Sequence, residues 1–147
     1  MVNTQNIDQS QISERNVRIV RQFYDLLRQK NIDTWIKLWN ENGKIIIPYP
    51  PDGFDSTIEG RSSILDAFRG LFGNFDKFDS NITAVYPAAN SDAVCVEYTN
   101  HAVLMNGTVY TNDNIAVFIF RDGLISEYHD YFDPRRFQVV IDALPKN

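Results

Sequence analysis

The stretch Phe118-Ile119-Phe120-Arg121-Asp122-Gly123-Leu124-Ile125-Ser126-Glu127-Tyr128-His129-Asp130-Tyr131-Phe132-Asp133-Pro134 fixes the order of the chain's last three elements. An apolar, aromatic run stops at Asp122-Gly123, a dipeptide suited to a tight hairpin because both residues tolerate a positive φ. A second run follows at once. Asp133-Pro134 then supplies a helix cap and a proline for the first helical position. Phe137, Val140, Ile141 and Leu144 form the stripe of a short closing helix.

The same pattern extends upstream. Asn106-Gly107 sits between strand-like runs over 93–105 and 108–120, and a further run covers 78–86. Before the strands come helices. Ser13 caps one reaching about residue 29, with Val17, Val20, Phe23, Tyr24 and Leu27 on one broad stripe. Asp33 caps a short second helix carrying Trp35, Ile36, Leu38 and Trp39. Gly43 to Ile47 reads as a strand, stopped by Pro48, Pro50 and Pro51. Residues 48–59 form a loop long enough to line a pocket mouth. Ser62 opens a third helix with Ile64, Leu65, Phe68, Leu71 and Phe72 on one face.

These elements predict an α+β fold, helices first and then a meander of long antiparallel strands. Residues 1–12 read as a loosely held arm and 13–147 as one domain. The helices cover one sheet face, yet Ile115, Val117 and Ile119 alternate with Ala116, Phe118 and Phe120, so both faces are apolar. A second apolar face needs a second cover, and a twin subunit is the simplest. A homodimer is the expectation.

Composition narrows the function classes. Acids and bases are interspersed, the net charge is −5, and no basic run marks a nucleic-acid partner. The longest apolar stretch, near 115–120, is too short to cross a bilayer. Residues 1–11 lack the apolar core of a signal peptide, so a cytoplasmic location is expected. The single cysteine, Cys95, excludes an internal disulfide. Two histidines and one cysteine give little material for a transition-metal site, and no glycine-rich phosphate cradle is present. No metal or other cofactor is expected.

Three stretches resemble the nuclear transport factor 2-like, or SnoaL-like, superfamily: Asn31-Ile32-Asp33-Thr34-Trp35-Ile36-Lys37-Leu38-Trp39, Glu59-Gly60-Arg61-Ser62-Ser63-Ile64, and the ending from Phe118 to Asp133. The last is similar to the endings of polyketide cyclases and limonene-epoxide hydrolases. Val96-Glu97-Tyr98 resembles a run in phenazine-biosynthesis A/B proteins. The resemblance implies a cone-shaped barrel: a curved, mixed, mostly antiparallel sheet with three to four helices on its concave face, cystatin-like. It also implies a central pocket for a small apolar or aromatic metabolite.

The resemblance makes Asp130 the first candidate for chemistry, a last-strand carboxylate acting as acid or base. Phe and Tyr around it would strip its hydration and raise its pKa. The plainer reading is an ionised Asp holding the sheet end in register. Asn112 and Asn114, two poor strand formers at i and i+2, share one face and would orient a polar substrate, or else form a solvated strand end. A three-residue turn at 121–123 would add Asp130 and Tyr128 to that face. The preceding strand depends on the turn at Asn106-Gly107. Two turn residues bring Glu97, Thr99 and His101 to the pocket, with His101 as a base; three bring Tyr98, Asn100 and Ala102. His129 points to the opposite face from Asp130. Phe23, Tyr24, Phe68, Phe72 and Phe118 form an aromatic stripe that is a candidate for core and substrate platform together.

The polar groups of the superfamily's steroid isomerases are replaced at the matching positions by Phe23, Ile46 or Ile47, and Ala116. The arginine of the epoxide hydrolases is missing near Tyr98 and Asn100. A cofactor-free isomerase, cyclase or dehydratase using Asp130 departs least from the sequence. A non-catalytic ligand carrier or assembly module is the alternative.

Overall fold

A computed structural model describes residues 8–145. Helix α1 spans Gln9–Arg28, α2 Ile32–Trp35 and α3 Arg61–Phe72, and the closing α4 covers Gln138–Ala143. The strands are β1 (Trp39–Ile46), β2 (Thr57–Glu59), β3 (Phe75–Pro87), β4 (Val94–Leu104), β5 (Val109–Arg121) and β6 (Leu124–Tyr131). They form one sheet in the order β2-β1-β6-β5-β4-β3, in which only β1 and β6 run parallel. The expected α+β architecture with a curved mixed sheet is present.

Several boundaries differ from the sequence reading. Asp8, not Ser13, caps α1: its carboxylate accepts from the Gln11 amide while the Gln11 side chain accepts from the Asp8 amide. This reciprocal pair satisfies two orphan donors and moves the helix start forward. Residues 8–12 are therefore a cap and first turn, and the rest of the expected arm, residues 1–7, lies outside the described residues. Asn31 rather than Asp33 caps α2. Trp39 leaves the second helical segment and starts β1, where its ring is fully buried. Residues 57–59 of the expected loop pair with β1 as an edge strand.

The core fills the concave side. Val20, Phe23, Tyr24 and Leu27 of α1 pack with Trp35, Trp39, Val96, Phe118 and Ile125. Phe23 lies at its centre, edge-on to Phe118 at 4.9 Å and tilted on Tyr128 at 5.0 Å. Asn16, also buried, ties α1 to the β3–β4 turn through a 2.9 Å bond to the Asp92 carbonyl. Among the described residues, no helix is long and apolar enough to cross a membrane.

Two hairpins decide which side chains enter the cone. After β4, Met105-Asn106-Gly107 forms a three-residue loop closed by the Leu104–Thr108 backbone bond, with Gly107 at φ +86°. Tyr98 is thereby paired with Asn114 and Asn100 with Asn112. The second hairpin does not have the three-residue turn on which the inward facing of Asp130 was made conditional. Arg121 pairs with Leu124 across a two-residue turn, with φ +53° at Asp122 and +78° at Gly123. Both residues sit in the left-handed region, the geometry that matches strand twist. A bulge at Ser126 then restores the phase: Phe120 opposes Ile125 but Ile119 opposes Glu127. Tyr128 and Asp130 return to the inner face, opposite Phe118 and Ala116.

Candidate active site

The concave face holds two neighbouring chambers with shared lining residues. The outer one, of about 540 Å³, is lined by apolar groups including Ile45, Ile58, Leu71, Phe132 and Leu144. The inner one, of about 80 Å³, is lined by Tyr24, Phe72, Tyr98, Asn100, Tyr110 and Asn114 among others. Asp130, Tyr128 and Phe68 line both. Asp130 therefore sits where the chambers meet.

Tyr98 donates to Asp130 Oδ1 at 2.7 Å. Its single proton is thus committed, so the 2.9 Å contact between the Tyr98 and Tyr128 hydroxyls is a donation from Tyr128. The Tyr98 oxygen also accepts from Asn114 Nδ2 at 3.3 Å. The Asn114 amide is turned by this bond, and its Oδ1 is left buried with no partner. The Tyr24 hydroxyl, near Tyr98, is likewise buried and unpartnered.

Burial pushes the Asp130 carboxyl up from its ordinary 3.8 to about 6, against the opposing pull of the Tyr98 hydroxyl that donates to it and of the polar groups of Tyr128 and Asn114 beside it. Aromatic walls remove water from the charged form more than the hydroxyls compensate it. Burial, followed by the neighbouring Asp130 charge, drives the Tyr98 and Tyr128 hydroxyls well above the ordinary tyrosine value. They remain donors throughout the range in which Asp130 titrates. One group exchanging protons near neutrality, held by donors that do not, has the form of an acid–base centre.

The three-residue turn selects between the two readings of β4. Tyr98 and Asn100 face inward and line the inner chamber. His101 faces outward and is exposed, opposite Thr111. The expectation that His101 works as a base beside Asp130 is corrected: an odd loop places even-numbered β4 residues inside. His129 is also on the convex face, 2.9 Å from Glu127. Asn114 reaches the site. Asn112 faces the same way, but its amide bonds the Tyr110 hydroxyl and the Asp133 carbonyl, and its oxygen accepts from the Asp113 and Asp133 amides. It clamps the exit of β6 and lines neither chamber. Phe23 and Phe118 are fully buried core residues behind the walls, whereas Phe68 is a wall.

Sequence reasoning placed Tyr24 and Phe72, which line the inner chamber, in the aromatic stripe, and missed Tyr110 as a lining group and Phe132 and Phe137 as a cover. A tyrosine inside the apolar stripe of α1 is the signal for Tyr24, because its hydroxyl needs a polar destination. Phe132 and Phe137 had no such signal: they reach the cavity because the chain turns back over its mouth after Asp133.

A family model described as a SnoaL-like domain matches residues 20–128. The uncharacterized protein YesE of Bacillus subtilis is 30% identical over 122 residues, covering 82% of this chain and 83% of that one. An uncharacterized PhzA/B-like protein of Pseudomonas aeruginosa is 30% identical over 112 residues, covering 76% and 79%. The crystal structure of a candidate isomerase from Bacillus subtilis superposes with a TM-score of 0.80 at 27% identity, covering 90% of this chain and 96% of that one.

Proposed function

We propose, from the premise that the chain belongs to the SnoaL-like family of the nuclear transport factor 2-like superfamily, that it is a cofactor-free enzyme transferring a proton on a small, largely apolar metabolite. Asp130 takes a proton from the substrate and returns it elsewhere, in an isomerisation, cyclisation or dehydration. Tyr98 and Asn114 hold the carboxylate and the substrate in place. The observation that carries this reading is the position of Asp130: a carboxyl that lines both chambers, in aromatic surroundings, with Tyr98 at 2.7 Å. Assistance by one such group is worth ~10²–10⁴-fold in rate. The similarity to a candidate isomerase points the same way.

The test is mass spectrometry of metabolites after incubating a cell extract with the wild-type protein or Asp130→Asn. A compound consumed by the wild type and spared by the variant is the expected result. Equal consumption by both removes Asp130 from the chemistry. The second reading, a non-catalytic carrier, is favoured because, among the described residues, no Asp, Glu, His, Lys or Arg other than Asp130 lines the inner chamber. It expects a compound that co-purifies with both proteins and is converted by neither.

A further inference from the structure

Six of the chain's seven glycines answer a local need. Four carry a positive φ, Gly43 lies against the Trp39 ring where a Cβ would come within 2.7 Å, and Gly73 is the C-cap of α3, where a Cβ would sit 3.2 Å from the Arg69 carbonyl. Gly70 answers none. It stands inside α3, its φ is not positive, and a Cβ built on it meets no atom within 4 Å apart from its own helix backbone and chain neighbours. Glycine is the poorest helix former after proline, and alanine would fit here. Neither the backbone nor the packing of α3 accounts for the choice.

What Gly70 does border is the outer chamber. Among that chamber's lining residues, Phe54, Asp66, Ala67, Gly70 and Pro145 are exposed, so they mark the rim where it opens to solvent. Asp66, Ala67 and Gly70 lie on adjacent turns of α3, with 66 and 70 stacked at i and i+4. A helical side chain leans towards the N-terminus, so one at position 70 would reach back along the rim, over Asp66 and Ala67. Leaving it out lowers one edge of the mouth by the length of a side chain. Behind that edge lie about 540 Å³ of space.

We propose that the bare backbone at Gly70 is the sill over which ligand enters and leaves the outer chamber, and that the missing side chain sets how wide a molecule can pass and how fast. This role rests on the reading of the concave cavity as a small-molecule site, but not on the chemistry at Asp130. Gly70 lines the outer chamber and not the inner one. A bulky residue here raises the barrier to passage in both directions and leaves the site beneath it as it was. Uptake and release slow together, and the equilibrium between them holds.

The experiment is stopped-flow fluorescence of the full chain at neutral pH with N-phenyl-1-naphthylamine, an uncharged apolar dye whose emission rises on leaving water. Gly70→Leu is expected to slow its uptake and its release by at least ~10-fold each, with the dissociation constant held within ~3-fold. Gly70→Ala adds a Cβ that meets nothing, so it is expected to take up the dye at the wild-type rate and to raise the thermal midpoint by ~2–4 °C. Ser63→Leu, exposed on the same helix and lining neither chamber, is expected to leave both rates unchanged. If Gly70→Leu does not fold, Gly70→Gln, of similar length and helix propensity, takes its place. An uptake rate in Gly70→Leu equal to that of the wild type overturns the proposal. So does a loss of affinity through faster release alone, which would make position 70 part of the binding surface, and so does a wild-type chain that takes up no dye. If Gly70→Leu slows passage while wild type and Asp130→Asn leave a cell extract equally untouched, the entrance stands and the catalytic reading falls. If turnover depends on Asp130 while Gly70→Leu leaves the rates unchanged, the reverse is true.

Discussion

Tyr98 and Asp130 are hydrogen-bonded across a strand that belongs to neither. Tyr98 lies on β4 and Asp130 on β6, and β5 runs between them. Two strand spacings are about 9.5 Å, more than either side chain spans alone. The bond forms because the β5 residue opposite Asp130 is Ala116, fully buried and too small to block the diagonal reach of the tyrosine over it. Ala116 is thus a gap that lets two other residues meet.

Replacing Tyr98 by Phe removes a donor that holds the Asp130 carboxylate in its charged form. The carboxyl then titrates above about 6, and any limb of a pH–rate profile due to it moves to higher pH. Carbon-13 NMR of labelled aspartate carboxyls, in wild type and variant, reads the midpoint directly. A midpoint that stays or falls contradicts the assignment of Tyr98 as the donor.

Asp130 has a consequence for stability as well. Its folded pKa, about 6, lies above its ordinary 3.8, so the folded chain holds the proton more tightly than the unfolded chain. The stability linked to that proton is fully present below about 3.8 and is lost as pH rises through about 6. Between about pH 5 and about pH 8 the loss amounts to about 1 kcal/mol. Asp130→Asn keeps the shape and removes the titration. Urea unfolding at the two pH values is expected to show the variant gaining on the wild type at the higher one.

Asn112→Leu separates clamp from site. Its amide makes four hydrogen bonds, two of them to the backbone of Asp133, where the chain leaves β6. Losing them is expected to destabilise the chain by about 1–3 kcal/mol while leaving the Asp130 midpoint in place. Denaturant unfolding and the same NMR titration check the two halves.

The convex sheet face carries Cys95, Val117 and Ile119, half-buried, beside Ile115 at 42% exposure. A second copy of the chain is the proposed cover. Light scattering behind size exclusion is expected to give twice the chain mass, and Val117→Glu to give the single-chain mass by placing a charge in the middle of the face. A single-chain mass for the wild type contradicts the homodimer.

The element order and the family were legible because hairpin dipeptides, proline stops and helical stripes are local signals. The family ending pointed to Asp130, and Asn114 stood out as one of two poor strand formers on one face, the face to which a turn reading added Tyr128. What escaped was whatever depends on a single residue of phase. In place of the three-residue turn considered at 121–123 there is a two-residue turn plus a bulge at Ser126, which reaches the same facing by another route. On β4 the sequence allowed both facings, and only the loop geometry at Gly107 excludes His101. Asn112 looked like a binding residue because its face is correct; the partner that engages it, Asp133, is 21 residues away.

The Ser126 bulge makes the inward facing of Asp130 a matter of parity. The short turn contributes one inversion and the bulge a second, and the two cancel. A mutation that lengthens the turn by one residue, or erases the bulge, leaves the hairpin able to form yet turns the strand over, carrying Asp130 to the outside and His129 to the inside. A chain of this kind keeps its hairpin and exchanges a cavity lined by a carboxyl for one lined by an imidazole. The same two irregularities that secure the present chemistry therefore leave it one insertion away from a different one.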